Sequence, residues 1–90
     1  MIDENIPLNR RKACLLWSDH ALYDKNLNKE DSYNAEYTVK HGKIDLDKSN
    51  KDRICYKNYF KKEKKTYFVV VIFKKDFIKI ITIIKKNGKY

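Results

Sequence analysis

Little in this chain interrupts regular structure. It holds a single proline, Pro7, and two glycines, Gly42 and Gly88, so glycine-rich phosphate loops and Pro/Gly linkers are excluded. No nucleophile elbow is present either. Cysteine is scarce, and the distant Cys14 and Cys55 match no metal-ligand spacing. One disulfide between them is open on count alone. However, Met1-Ile2-Asp3-Glu4 is acidic and no apolar signal segment follows. Reduced, buried thiols in a cytoplasmic protein are therefore expected. No apolar run approaches the roughly 20 residues of a membrane-spanning helix. No long amphipathic helix gathers the basic residues on one face, which argues against a membrane-surface role. Asp45, Asp47 and Asp52 lack the glycine and glutamate of a calcium loop. Neither a metal nor a cofactor is implied. Acidic residues are also short, with 12 Asp+Glu against 21 Lys+Arg for a net charge of +9 over 90 residues. Such an excess on one small domain suits a polyanionic partner, nucleic acid or an acidic protein, and equally suits the plainer reading of a solvated lysine surface.

What the chain does have is concentrated in its last third. Thr66–Phe73 and Phe77–Ile84 are almost wholly β-branched or aromatic and are separated only by Lys74-Lys75-Asp76. That pattern predicts an antiparallel hairpin with Asp76 in its turn, central in a sheet whose two faces are both largely covered. Ala13–Trp17 is a short apolar run that suits a brief edge strand or the opening of a helix. Ser18-Asp19 offers N-cap chemistry for a helix from about His20 to Lys25. Asn28, followed by Glu30 and Asp31, predicts a second helix that carries Tyr33, Tyr37 and Lys40 on one stripe and Ala35 and Val39 on the next. Gly42 is expected to end that helix with a positive φ. A short strand is expected at Lys43–Leu46, and alternation over Asp52–Phe60 predicts a half-buried strand, with Ile54, Tyr56 and Asn58 facing one way and Arg53, Cys55, Lys57 and Tyr59 the other. Lys61–Lys65 reads as a charged turn. The layout is a single α+β domain over residues 1–90: a flexible basic arm (1–12), a core (13–85) and a basic tail (86–90). The expected fold is two short N-terminal helices packed on a three- to four-stranded antiparallel sheet.

Several spaced residues resemble a known family. Ser18-Asp19-His20-Ala21 resembles the S-x-H-A helix opening of domain of unknown function 4258. Leu27-Asn28 and the helix ending at His41-Gly42-Lys43-Ile44 are similar to a second segment of that family. Arg53-Ile54-Cys55-Tyr56, the apolar strand after it and Ile80-Ile81-Thr82-Ile83 resemble its sheet. The likeness runs over residues 13–85. Asp24 stands where the family commonly has an arginine, leaving Lys25 as the nearby cation, and Lys43 replaces a glutamate. The resemblance implies a RelE-like fold, within the RelE/ParE-like and colicin-type ribonuclease toxins. It further implies an RNA-cleaving or ribosome-associated toxin, neutralised by an acidic antitoxin.

Metal-independent RNA cleavage uses the 2′-hydroxyl as nucleophile and needs a base, an acid and cations to stabilise the phosphorane. His20 is the candidate base or acid. Arg53 is the candidate bidentate phosphate clamp, and Thr82 a hydrogen-bonding group on the phosphate or a base. Lys25 and Lys57 would add RNA-binding charge, and Tyr90 would stack on a base or act as general acid. His41, in the last helical turn, suits a capping role. Tyr33, Tyr37, Tyr56, Tyr59 and Tyr67 fit either a stacking surface or the rim of a core. Cys14 or Cys55 paired with His20 is a further option for a nucleophile.

The leading functional reading is a small toxin-like ribonuclease held by an acidic antitoxin. The alternative is a non-catalytic RNA-binding or protein-interaction module, and a third reading is a structural homodimer joined through an exposed edge strand. The first requires His20 and Arg53 to converge on one cleft. The second requires a basic surface without such a cleft.

Overall fold

The hairpin forms as its composition demands, and it is longer than the apolar runs alone. In a computed structural model of the chain, which describes residues 14–22, 27–50, 52–74 and 77–90, strand β4 covers Lys65–Phe73 and β5 covers Phe77–Asn87. Antiparallel pairing runs from Phe73↔Ile78 to Lys65↔Asn87, so the first residues of the expected basic tail, Lys86 and Asn87, belong to the sheet. Asp76, expected in the turn, lies outside the described residues, as does the basic arm.

Before the hairpin come β1 (Cys14–Trp17), α1 (Asp19–Leu22), α2 (Lys29–His41), β2 (Lys43–Ile44) and β3 (Ile54–Phe60). The five strands form one sheet in the order β1-β5-β4-β3-β2. This corrects the expected fold in two respects. Among the described residues there are five strands, not three or four. The sheet is mixed, because β1 pairs parallel with β5 from Cys14↔Phe77 to Trp17↔Ile80. The helices therefore follow a strand and do not precede the whole sheet. β1 escaped a firm assignment because a four-residue strand has too few residues to show a period, and its partner among the described residues lies more than sixty positions away in the chain. Both hairpin strands are interior to the sheet, as expected.

Register fixes which side chains share a face. Leu15 and Trp17, Ile78, Ile80 and Ile83, Tyr67, Val69 and Val71, and Ile54 and Tyr56 all point toward the helices. They pack there with Ala21 of α1 and Ala35 and Val39 of α2 as one core. In β3 the register sets Ile54 and Tyr56 on the core face and Cys55, Lys57 and Tyr59 on the other, but burial does not alternate: Ile54, Cys55 and Tyr56 are all buried, and their successors are half-buried. A bulge beside Val70 and Val71 gives β5 one extra residue, Ile81. Its carbonyl accepts from Ser18 Oγ at 3.1 Å, and Ser18 N donates to Ile80 O at 2.8 Å. Ser18 Oγ also accepts from Ala21 N at 3.2 Å, so one serine caps α1 and seats it on the bulge.

α2 starts as its sequence dictates. Asn28 and Asp31 form a reciprocal capping box: Asp31 N donates to Asn28 Oδ1 at 2.9 Å and Asn28 N to Asp31 Oδ2 at 3.0 Å. Its end departs from expectation. Gly42 has φ −74°, an ordinary value, so positive φ is not the reason for glycine here. The reason is close approach. A Cβ at Gly42 would lie 2.5 Å from Thr38 O and 2.6 Å from Lys57 O, both backbone atoms. Gly42 lets the end of α2 press against β3.

Asp31 fastens the other end. Its buried carboxylate meets Lys85 Nζ of β5 at 2.8 Å and accepts a hydrogen bond from the Tyr67 hydroxyl of β4, which in turn accepts from Asn34 Nδ2 at 3.4 Å. Burial pushes the Asp31 carboxyl up, but hydrogen bonds from Lys85, Tyr67 and the Asn28 backbone, with the Lys85 charge, outweigh it and hold the group below its ordinary value. Burial, with the bond to Asp31, pushes the Tyr67 hydroxyl up to about 12.

Two predictions follow from these anchors. Gly42→Ala should lower stability by about 2 kcal/mol in urea unfolding, because the new methyl displaces packed backbone. Unchanged stability would mean that the close approach is not needed. Asp31→Asn should cost about 2 kcal/mol near neutral pH. Because the folded carboxyl titrates below its unfolded value of about 3.9, its contribution is complete above that pH and is lost as pH falls through the folded value. The gap between wild type and Asp31→Asn should therefore close in acid.

Candidate nucleic-acid interface

The helices cover one face of the sheet, and the opposite face carries Lys43, Lys57, Lys79 and Lys86. By register that face presents Lys43 and Lys57, then Phe68 and Ile84, in one row across β2, β3, β4 and β5. Neighbouring rows hold Tyr59, Thr66 and Lys86; Cys55, Val70 and Thr82; and Ile72, Lys79 and Leu16. No strand residue on this face is acidic among the described residues. Lys57, Lys79 and Lys86 make no ion pair with a carboxylate among them. The floor is apolar and partly open: Val70, Ile72 and Thr82 are half-buried, and Leu16 and Ile84 are exposed. Coverage is therefore less complete than the continuous apolar runs suggested.

One end of this face is built by the last residues of the chain. Gly88, with φ +92°, takes a conformation that favours glycine. Its N–H donates to Lys64 O at 2.9 Å, and its carbonyl accepts from Thr66 Oγ1 at 2.7 Å. This turn lays the ring of Tyr90 edge-on to Phe68, with centroids 5.9 Å apart. Lys86 Nζ lies 5.3 Å from the Tyr90 centroid and 5.7 Å from that of Phe68, and Lys48 Nζ lies 5.1 Å from the Phe68 centroid. Lys89 lies 5.9 Å from the Tyr59 ring. Such cation–aromatic contacts hold long lysine side chains near the floor without neutralising them.

The residues singled out in the sequence separate into two groups. Lys57, Thr82 and Tyr90 share the open face. His20 is exposed on α1, in the helix layer, and Arg53 is exposed just before β3. Two strands, β5 and β4, lie between β1, which leads into His20, and β3, which Arg53 precedes, so β1 and β3 are roughly three strand spacings, about 14 Å, apart. Lys25 lies outside the described residues. His41 is exposed in the last turn of α2, and its ring packs on Tyr37 with centroids 4.5 Å apart. The five tyrosines do not form one surface: Tyr33 and Tyr37 lie exposed on α2, Tyr56 and Tyr67 are buried in the core, and Tyr59 is on the open face. Lys79, Lys86 and Phe68 belong to the open face but were not singled out. Period-two alternation alone would have set Lys79 beside Lys85; the bulge at Ile81 sets it beside Lys86.

Both cysteines are free among the described residues, but they differ from expectation in burial. Cys55 is buried, and Cys14 is exposed on the edge strand. Burial first, then the charge of Asp45, pushes the Cys55 thiol up to about 11. No group of three or more His, Cys, Asp or Glu able to hold a metal occurs among the described residues. No helix among them is long and apolar enough to cross a membrane. No family model, curated protein or solved structure matches the chain.

A thiol-reactive disulfide reagent at mildly alkaline pH should therefore modify one thiol per native chain, and Cys14→Ser should abolish that reaction. Denaturant should expose the second. Two rapidly reacting thiols in the native protein would contradict the burial of Cys55.

Proposed function

We propose that this protein is a cytoplasmic RNA-binding domain that holds the RNA backbone on its open sheet face and does not cleave it. The observation that carries this reading is the sorting of charge. Lys43, Lys57, Lys79 and Lys86 project from a sheet face whose described strand residues include no acid, with Asp45 beside Cys55 at its margin, whereas the helix layer carries Asp19, Glu30, Asp31 and Glu36 against Lys29 and Lys40. A phosphate backbone laid on that face releases counterions to each lysine it meets, and that release drives binding. The resemblance to domain of unknown function 4258 makes RNA the first polyanion to test, ahead of an acidic protein partner. Cleavage has less support. An acid–base catalyst must come within hydrogen-bond reach of the reacting atoms, and two strands intervene between the one that leads into His20 and the one that Arg53 precedes.

Fluorescence anisotropy with a labelled RNA oligonucleotide tests this directly. Binding should weaken with salt, at a logarithmic slope of about −2 to −3 for three to four neutralised phosphates on a single strand. Lys57→Glu combined with Lys86→Glu should reduce affinity at least tenfold, whereas His20→Ala should not change it. The RNA should remain intact in EDTA. Absence of binding at about 50 mM salt, or a double variant that binds like wild type, would overturn the proposal. Cleavage lost in His20→Ala would restore the ribonuclease reading.

A further inference from the structure

We infer that the open face takes an unpaired segment of RNA, with a base stacked on Tyr90 and a second on Tyr59, and does not take a duplex. This rests on the RNA-binding proposal and names the form of RNA. The argument begins with the floor. Between the lysines lie Val70, Ile72, Thr82, Ile84 and Leu16, all half-buried or exposed. A duplex presents phosphates and sugars on a convex surface and keeps its base faces inside, so it leaves this apolar area without a partner. An unpaired strand brings base faces to the floor and phosphates to the surrounding lysines in one binding event.

The aromatic residues repeat a single arrangement. Tyr90, 60% exposed, has Lys86 Nζ 5.3 Å from its centroid. Tyr59, half-buried, has Lys89 Nζ 5.9 Å from its centroid. In each pair the ammonium lies over one face of the ring, so a base stacks on the opposite face while the cation meets that nucleotide's phosphate. Phe68 supports the Tyr90 ring edge-on, so the ring is held in place before any ligand arrives. Lys79 and Lys86 lie on the same face of β5, about six residue rises or roughly 20 Å apart. That length suits a strand of a few nucleotides.

The test compares three ligands of about 12 nucleotides: a single-stranded RNA, a strand of equal phosphate number whose bases are replaced by abasic sites, and a duplex. Wild type should bind the base-containing strand at least tenfold more tightly than either of the others. Tyr90→Ala should lose about tenfold for that strand alone, and Tyr90→Phe should retain wild-type affinity, because the ring and not the hydroxyl is the platform. Thermal melting of each variant reports whether the C-terminal turn still folds, and Tyr59→Ala gives an independent reading from the second ring. Equal affinity for all three ligands, with both alanine variants unaffected, would overturn the stacking inference and leave RNA binding standing. Failure to bind any ligand would overturn both.

Discussion

Asp31 brings one carboxylate into contact with three elements: the start of α2 through Asn28, β4 through Tyr67 and β5 through Lys85. Each contact offsets part of the desolvation cost of the buried charge, and together they hold it ionised. The consequence is geometric. With its first turn tied to the centre of the sheet and its last turn pressed on β3 at Gly42, α2 has one position on one face. The apolar residues of that face become a sealed core, and the other face is left to the lysines.

The bulge at Ile81 matters as much as the anchor. Without it, residues two apart along β5 would stay on one side throughout, and Lys79 would share a face with Lys85. With it, Lys85 turns inward to meet Asp31 while Lys79, Thr82 and Lys86 turn outward together. One inserted residue thus converts a uniformly apolar strand into one that both anchors a helix and presents cations. Ser18 satisfies the bulge carbonyl, so the same irregularity also positions α1. Stability and the candidate interface depend on one local departure from strand regularity.

This explains which parts of the structure were legible in the sequence. The hairpin, the alternation in β3, the N-cap at Asn28 and the end of α2 at Gly42 are local patterns, and local patterns could be read. The reason for Gly42 could not, because the clash it avoids is with Lys57 O, fifteen positions on. The parallel pairing of β1 with β5 likewise leaves no mark in either segment. Of the candidate site, Lys57, Thr82 and Tyr90 were found individually, for their chemistry. Their grouping with Lys79 and Lys86 depended on the bulge, which no residue type announces. His20 and Arg53 were linked by the resemblance, and the topology places two strands between them.

The central claim is that the lysine-bearing sheet face, not the helix layer, meets the nucleic acid. The most direct measurement is a titration of isotope-labelled protein with single-stranded RNA, followed by backbone amide shifts. The account predicts perturbations at Lys57, Phe68, Thr82, Lys86 and Tyr90, with Tyr33, Tyr37 and His41 on the outer side of α2 unmoved. Shifts gathered on α1 and α2, around His20 and Tyr37, with the open face silent, would contradict it.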